Sequence, residues 1–120
     1  METSAWDLLL PEGMLEYFDV TAAEKTTDQY VISLEEKNLY PVEFAGHRLS
    51  SKGFLEEITV KDFPIRGRAC YLKVKRRRWY NEDLSKIVSR DWELVAKGTR
   101  MTKEFATFLK AMHRYNSGKL

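Results

Sequence analysis

The 120-residue chain has a single cysteine, Cys70, so no internal disulfide can form and a secreted, cross-linked scaffold is excluded. Histidine is nearly as scarce. His47 and His113 stand far from each other and from Cys70, with no CxxC or HxxxH spacing, so neither a metal site nor a cofactor is expected. Long apolar runs are missing too. Leu8-Leu9-Leu10 is stopped by Pro11, and no basic segment precedes it. Neither a signal peptide nor a membrane span is expected, which makes a soluble cytoplasmic protein the default. There is no Gly-x-Ser-x-Gly and no phosphate loop of the Walker or dinucleotide type. The paired carboxylates Glu35-Glu36 and Glu56-Glu57 are chain neighbours that point to opposite sides of an extended strand. Enzymatic activity of the chain's own is therefore not expected.

What is present argues for a packed fold. Apolar residues make up 43%, with three Trp, six Tyr and six Phe, and 120 residues suffice for one domain, 1–120, with a core. Net charge is only +2, yet it is unevenly spread. Residues 1–60 hold four Lys/Arg against twelve Asp/Glu, a net of −8, while residues 61–120 hold sixteen against six, a net of +10. Such a split suits a basic surface that meets a polyanion; equally, the two halves can attract each other within the fold.

Taken in order, residues 1–18 read as a helical cap. Ser4 with Asp7 three residues on is an N-cap pattern, and Pro11 opens a second short helix over Glu12–Phe18. Residues 19–35 read as a hairpin with its turn at Glu24–Asp28. Residues 36–53, with Pro41, Gly46 and Gly53, are the least regular stretch. A three-stranded antiparallel meander is expected over 54–94, its third strand running from Lys86 to Leu94. Gly98-Thr99 breaks the pattern. Thr102 then caps a helix over 102–116 whose Phe105, Phe108, Leu109, Met112 and Tyr115 form an apolar stripe. The expected class is α+β: a small antiparallel sheet flanked by short N-terminal helices and a C-terminal helix.

The stretch from Pro64 to Tyr80 organises this reading. A Pro-Ile-Arg-Gly turn leads into an alternating strand, with Cys70, Leu72 and Val74 on one side. Tyr71, Lys73, Lys75, Arg77 and Trp79 lie on the other. Edge strands use cations to discourage aggregation, but Lys73, Lys75, Arg76, Arg77 and Arg78 within six positions exceed that need. With Arg66 and Arg68 before them and Arg90, Lys97, Arg100 and Lys103 after, they form a near-continuous basic series. Lys and Arg gain affinity for phosphates by releasing condensed counterions, and an exposed Trp79 or Tyr80 can stack on bases or pack in the sheet. Contact with a duplex backbone is expected more than sequence reading, because no recognition helix is identifiable.

The run Asp62-Phe63-Pro64-Ile65-Arg66-Gly67, followed by Leu72-Lys73-Val74-Lys75-Arg76-Arg77-Arg78-Trp79-Tyr80, resembles the zinc-ribbon segment at the front of bacterial insertion-sequence transposases of the DDE type. The likeness covers about residues 46–112. It implies the separately encoded N-terminal region of such a transposase, binding double-stranded DNA at the element ends beside a catalytic subunit made elsewhere. The chain departs from the pattern at the ligands. Asn81 stands where a cysteine follows the aromatic pair, none lies near Ser85, and the knuckle expected in residues 36–50 is missing. The resemblance thus implies a ribbon that holds together without zinc. Two other readings stay open: an interaction module that docks the catalytic subunit or another acidic partner without touching DNA, and a decayed remnant. The oligomeric state is open as well.

Overall fold

The expected N-cap forms at Ser4. In the computed structural model, which describes residues 4–92 and 103–117, helix α1 spans Ala5–Leu9 and opens on a complete capping box. The Asp7 amide donates to Ser4 Oγ at 3.3 Å, and the Ser4 amide donates back to Asp7 Oδ2 at 3.2 Å. The second helix is shorter than expected, a single 3-10 turn at Met14–Glu16. Gly13 precedes it in the left-handed region at φ 88°, and Phe18 already belongs to a strand, so too few residues remain for an α-helix.

Strand β1 (Phe18–Lys25) and strand β2 (Gln29–Glu36) form the hairpin, as the alternation predicts. Its turn is closed by the Thr26 amide donating to the Gln29 carbonyl at 2.8 Å. The irregular stretch after it holds a 3-10 turn at Val42–Phe44 and a strand the sequence reading missed, β3 (Leu49–Phe54). Strands β4 (Ile58–Ile65), β5 (Arg68–Lys75), β6 (Arg77–Asn81) and β7 (Lys86–Ser89) follow, then helix α2 (Lys103–Ser117). The class is α+β, mostly β, with two sheets.

The strand pairing corrects the expected 54–94 meander. Strands β4 and β5 do pair antiparallel, but β5 ends at Lys75 and its other edge lies parallel to β2. The larger sheet therefore runs β1-β2-β5-β4, and a second sheet runs β3-β6-β7. The chain changes sheets at Arg76. The Arg77 amide, which would continue the first ladder, donates instead to the Glu36 carboxylate at 2.8 Å, while the Arg76 carbonyl accepts from the Leu55 amide at 2.8 Å. The third strand is also short, ending at Ser89. Glu93, Leu94, the Gly98-Thr99 break and the Thr102 cap lie outside the described residues.

One face of the larger sheet carries the core. Ile32 and Leu34 of β2, Cys70, Leu72 and Val74 of β5, and Ile58 and Val60 of β4 are buried there. Phe108, Leu109 and Met112 of α2 join the same cluster with Leu10, Met14, Phe18 and Trp92. Trp92 stacks on Phe18 at 5.3 Å and meets Tyr17 edge-on at 5.5 Å. Each fully buried large side chain contributes about 1.5–3 kcal/mol, so this cluster, rather than any cross-link, supports the fold. Phe105 and Tyr115, expected on the same stripe of α2, lie outside the described side chains.

Candidate functional site

The structure sorts the basic series into cations that the fold uses and cations that it leaves in water. Glu36, the last residue of β2, stands at the centre of the first group and is buried. Its Oε1 accepts the Arg77 amide and its Oε2 accepts from Arg90 Nε at 3.0 Å. Arg90 also donates to the Leu39 carbonyl and lies over the rings of Tyr17 and Trp92, at 5.0 and 5.7 Å. Arg77 donates through Nε to the Glu36 carbonyl at 3.2 Å and through Nη1 to Ser51 Oγ at 2.8 Å, over the Phe54 ring. Arg76 is buried close enough to Glu36 for each charge to favour the other's ionised form. Burial outweighs this and lowers the Arg76 pKa. Burial likewise pushes the Glu36 carboxyl upward, opposed by the hydrogen bonds from Arg77 and Arg90 and by the charges of Arg90 and Arg76.

Three expectations change here. Arg76 and Arg90 are not surface cations, since 4% and 8% of each remains exposed. Arg77 is half-buried with its hydrogen bonds turned inward. Trp79 is wholly buried and donates from Nε1 to Asn38 Oδ1 at 2.8 Å, with the Tyr40 ring edge-on at 6.5 Å. It packs in the second sheet and cannot stack on a base. The strict alternation that set it beside Lys73 and Lys75 fails because the chain changes sheets between them.

The remaining described cations lie at or near the surface. Arg68 is half-buried, donating to the carbonyls of Thr26 and Thr27 at 3.2 Å and lying over Tyr30. Lys75 pairs loosely with Glu35 at 3.9 Å. Arg78 is exposed, with its Nε donating to the Lys52 carbonyl at 2.9 Å. Arg66 and Lys73 are exposed, and among the described residues neither makes an ion pair. Lys97 and Arg100 lie outside the described residues. Lys103 begins α2, and its side chain is likewise outside those described.

Asn81, at the position where the resemblance expects a cysteine, is fully buried. Its Oδ1 accepts from the amides of Asp83 and Leu84 at 2.9 and 3.0 Å, closing the β6–β7 turn. Its Nδ2 lies 2.8 Å from His47 Nδ1, within hydrogen-bond distance. These hydrogen bonds tie the stretch before β3 to the β6–β7 turn. Among the described residues no group of three or more His, Cys, Asp or Glu could hold a metal ion. A groove of about 680 Å³ lies between β4 and α2, with Asp62, Glu104 and Thr107 among its polar groups. Burial raises the Asp62 carboxyl there, against a hydrogen bond from the Phe63 amide. The thiol of Cys70, the register partner of Asp62, is pushed up to about 11, by burial first and by Asp62 second.

No protein family, curated protein or solved structure matches the chain. No described helix is long and apolar enough to cross a membrane.

One exposed cation escaped the sequence reading: Lys61, on β4. It is exposed, and its register partner is Tyr71 on β5, which sets it beside Lys73. In sequence it is an isolated lysine between Val60 and Asp62, and only strand pairing brings it to the basic group.

Proposed function

We propose that the chain is a non-catalytic, DNA-binding accessory module of a split insertion-sequence transposase, acting at element-end DNA with a separately encoded catalytic subunit. In this reading the β6–β7 hairpin, closed by Asn81, stands where a metal-bearing ribbon would sit. The observation that carries DNA binding is Arg66. It occupies the first central position of the β4–β5 hairpin turn at φ 49°, followed by Gly67 at φ 78°. Both positive values are the signature of a type I′ turn, for which Asn-Gly is the favoured pair and a long side chain at the first position is disfavoured. Arg66 is exposed and makes no ion pair among the described residues. A strained backbone position that carries an exposed guanidinium supports a contact made outside the chain.

The test separates turn from charge. Arg66→Asn should leave the turn as stable or more so, yet weaken binding to a labelled duplex in fluorescence anisotropy. It should also flatten the salt dependence by about 0.9 in log K per log salt. If wild-type protein fails to bind duplex even at low salt, the DNA reading is wrong.

A second reading has its own observation. Leu39, Tyr40 and Val42 are exposed around the buried Pro41, and Tyr40 is fixed by its hydroxyl donating to the Leu49 carbonyl at 3.2 Å. An ordered apolar patch of this kind suits a protein partner, here the catalytic subunit. A chain that binds no duplex at low salt, yet co-purifies with that subunit and loses it in Val42→Lys, would favour this reading.

A further inference from the structure

The larger sheet has one face against the core and one open, and the register sorts the open face into three cross-strand rows. Glu24, Val31, Tyr71 and Lys61 form the first, and Ala22, Ser33, Lys73 and Thr59 the second. Asp19, Glu35 and Lys75 form the third. Charge divides along the strands. The β1–β2 half carries Asp19, Glu24 and Glu35; the β5–β4 half carries Lys61, Lys73 and Lys75, with Arg66 in the adjoining turn. Lys61 and Lys73 are diagonal neighbours across an antiparallel pair, about 7–8 Å apart at the backbone. Lys73 and Lys75 are about 7 Å apart along one strand. These separations are comparable to those between successive phosphates on one nucleic-acid strand.

Resting on the DNA-binding reading, we propose that the duplex backbone lies along the β4–β5 half of this open face. Lys61, Lys73 and Arg66 contact phosphates there, and the half-buried Tyr71 between them offers its hydroxyl to a phosphate oxygen. Two observations favour this surface over the second sheet. Neither Lys61, Lys73 nor Arg66 makes an ion pair among the described residues, whereas Arg48 pairs with Glu82 and Asp83 at 3.7 and 3.2 Å. The exposed side of the second sheet mixes Arg78, already bonded to a carbonyl, with the apolar Ile87, 47% exposed. The acidic β1–β2 half then repels a second strand and fixes which side of the sheet the backbone follows.

The experiment measures duplex affinity across a salt series for the full chain and three variants, with folding checked by circular dichroism and thermal melting. Lys61→Ala/Lys73→Ala should cost about tenfold in affinity at near-physiological salt and flatten the slope by about 1.8, the loss of two phosphate contacts. Tyr71→Phe, which keeps the ring, should cost a smaller factor with the slope unchanged. Arg78→Ala/Lys86→Ala on the second sheet should leave both quantities within about twofold of wild type. If that last pair carries the loss and the Lys61/Lys73 pair does not, the surface assignment is overturned while DNA binding stands. If the wild-type chain binds no duplex at low salt, both fall. Retention of an acidic protein but not of DNA by the Lys61/Lys73 face would also overturn the proposal.

Discussion

Glu36 and Arg90, fifty-four residues apart in the chain, form an ion pair at 3.0 Å with side chains 1% and 6% exposed. The carboxylate ends β2 of the larger sheet and the guanidinium follows β7 of the smaller one, so the pair joins the two sheets. Removing one partner strands the other charge in a buried site. Glu36→Ala is expected to destabilise the protein by about 3–5 kcal/mol, measured by urea unfolding. Glu36→Gln should cost less, because an amide oxygen can still accept one of the two hydrogen bonds. An unchanged midpoint in Glu36→Ala would mean that the pair does not join the sheets.

The arginine run is predicted to act mainly on folding. Replacing Arg76, Arg77 and Arg78 together with alanine should lower the melting temperature and broaden the unfolding transition. Arg78→Ala alone, at an exposed site, should stay within about 0.5 kcal/mol of wild type. A triple variant as stable as wild type would contradict the burial of Arg76 and the inward bonds of Arg77.

Trp79 is expected to report the core and not the ligand. Trp79→Ala should cost about 3–5 kcal/mol, the range for deleting a buried aromatic ring. In a Trp6→Phe/Trp92→Phe background, its emission should be blue-shifted and resist iodide quenching whether or not duplex is added. Quenching on DNA addition would show that the indole reaches a base.

Cys70 should be inert in the native state. With its pKa pushed up from 9.0 to about 11, the thiolate fraction at pH 8 is about a hundredfold below that of an ordinary cysteine. Its folded-state pKa is the raised one, so its contribution to stability is complete below pH 9 and is lost as pH rises from 9 towards 11. Comparing the pH dependence of unfolding of wild type with that of Cys70→Ala isolates this loss, and thiol titration with and without urea checks the inertness. Rapid modification of the folded protein at pH 8 would refute it.

The hairpin turn gives the last prediction. Gly67→Ala places a Cβ at φ 78° and should destabilise the protein by about 1 kcal/mol by thermal melting, although nothing lies within 4 Å of that Cβ. A neutral result would mean that the turn relaxes to another type.

Local chemistry was legible in the sequence. Ser4 and Asp7 announced their capping box, the alternation of residues 29–35 its hairpin, and Cys70, Leu72 and Val74 their inward face, because each pattern is set by neighbours a few residues apart. The stripe of Phe108, Leu109 and Met112 announced the core side of α2 in the same way. What the sequence could not determine was where the basic strand ends. Alternation carried through Lys75 predicts a solvent-facing Arg77 and Trp79. The carboxylate of Glu36, forty-one residues earlier, takes the Arg77 amide and turns the chain into a second sheet. That one long-range hydrogen bond accompanies the burial of Arg76, the packing of Trp79 against Asn38 and the pairing of β5 with β2. Lys61 joins Lys73 by the same kind of cause, a register between strands. Sequence fixes which residues carry charge and which prefer burial. Only tertiary structure decides which charges neutralise one another inside and which are left facing water, because that depends on partners brought together from distant parts of the chain.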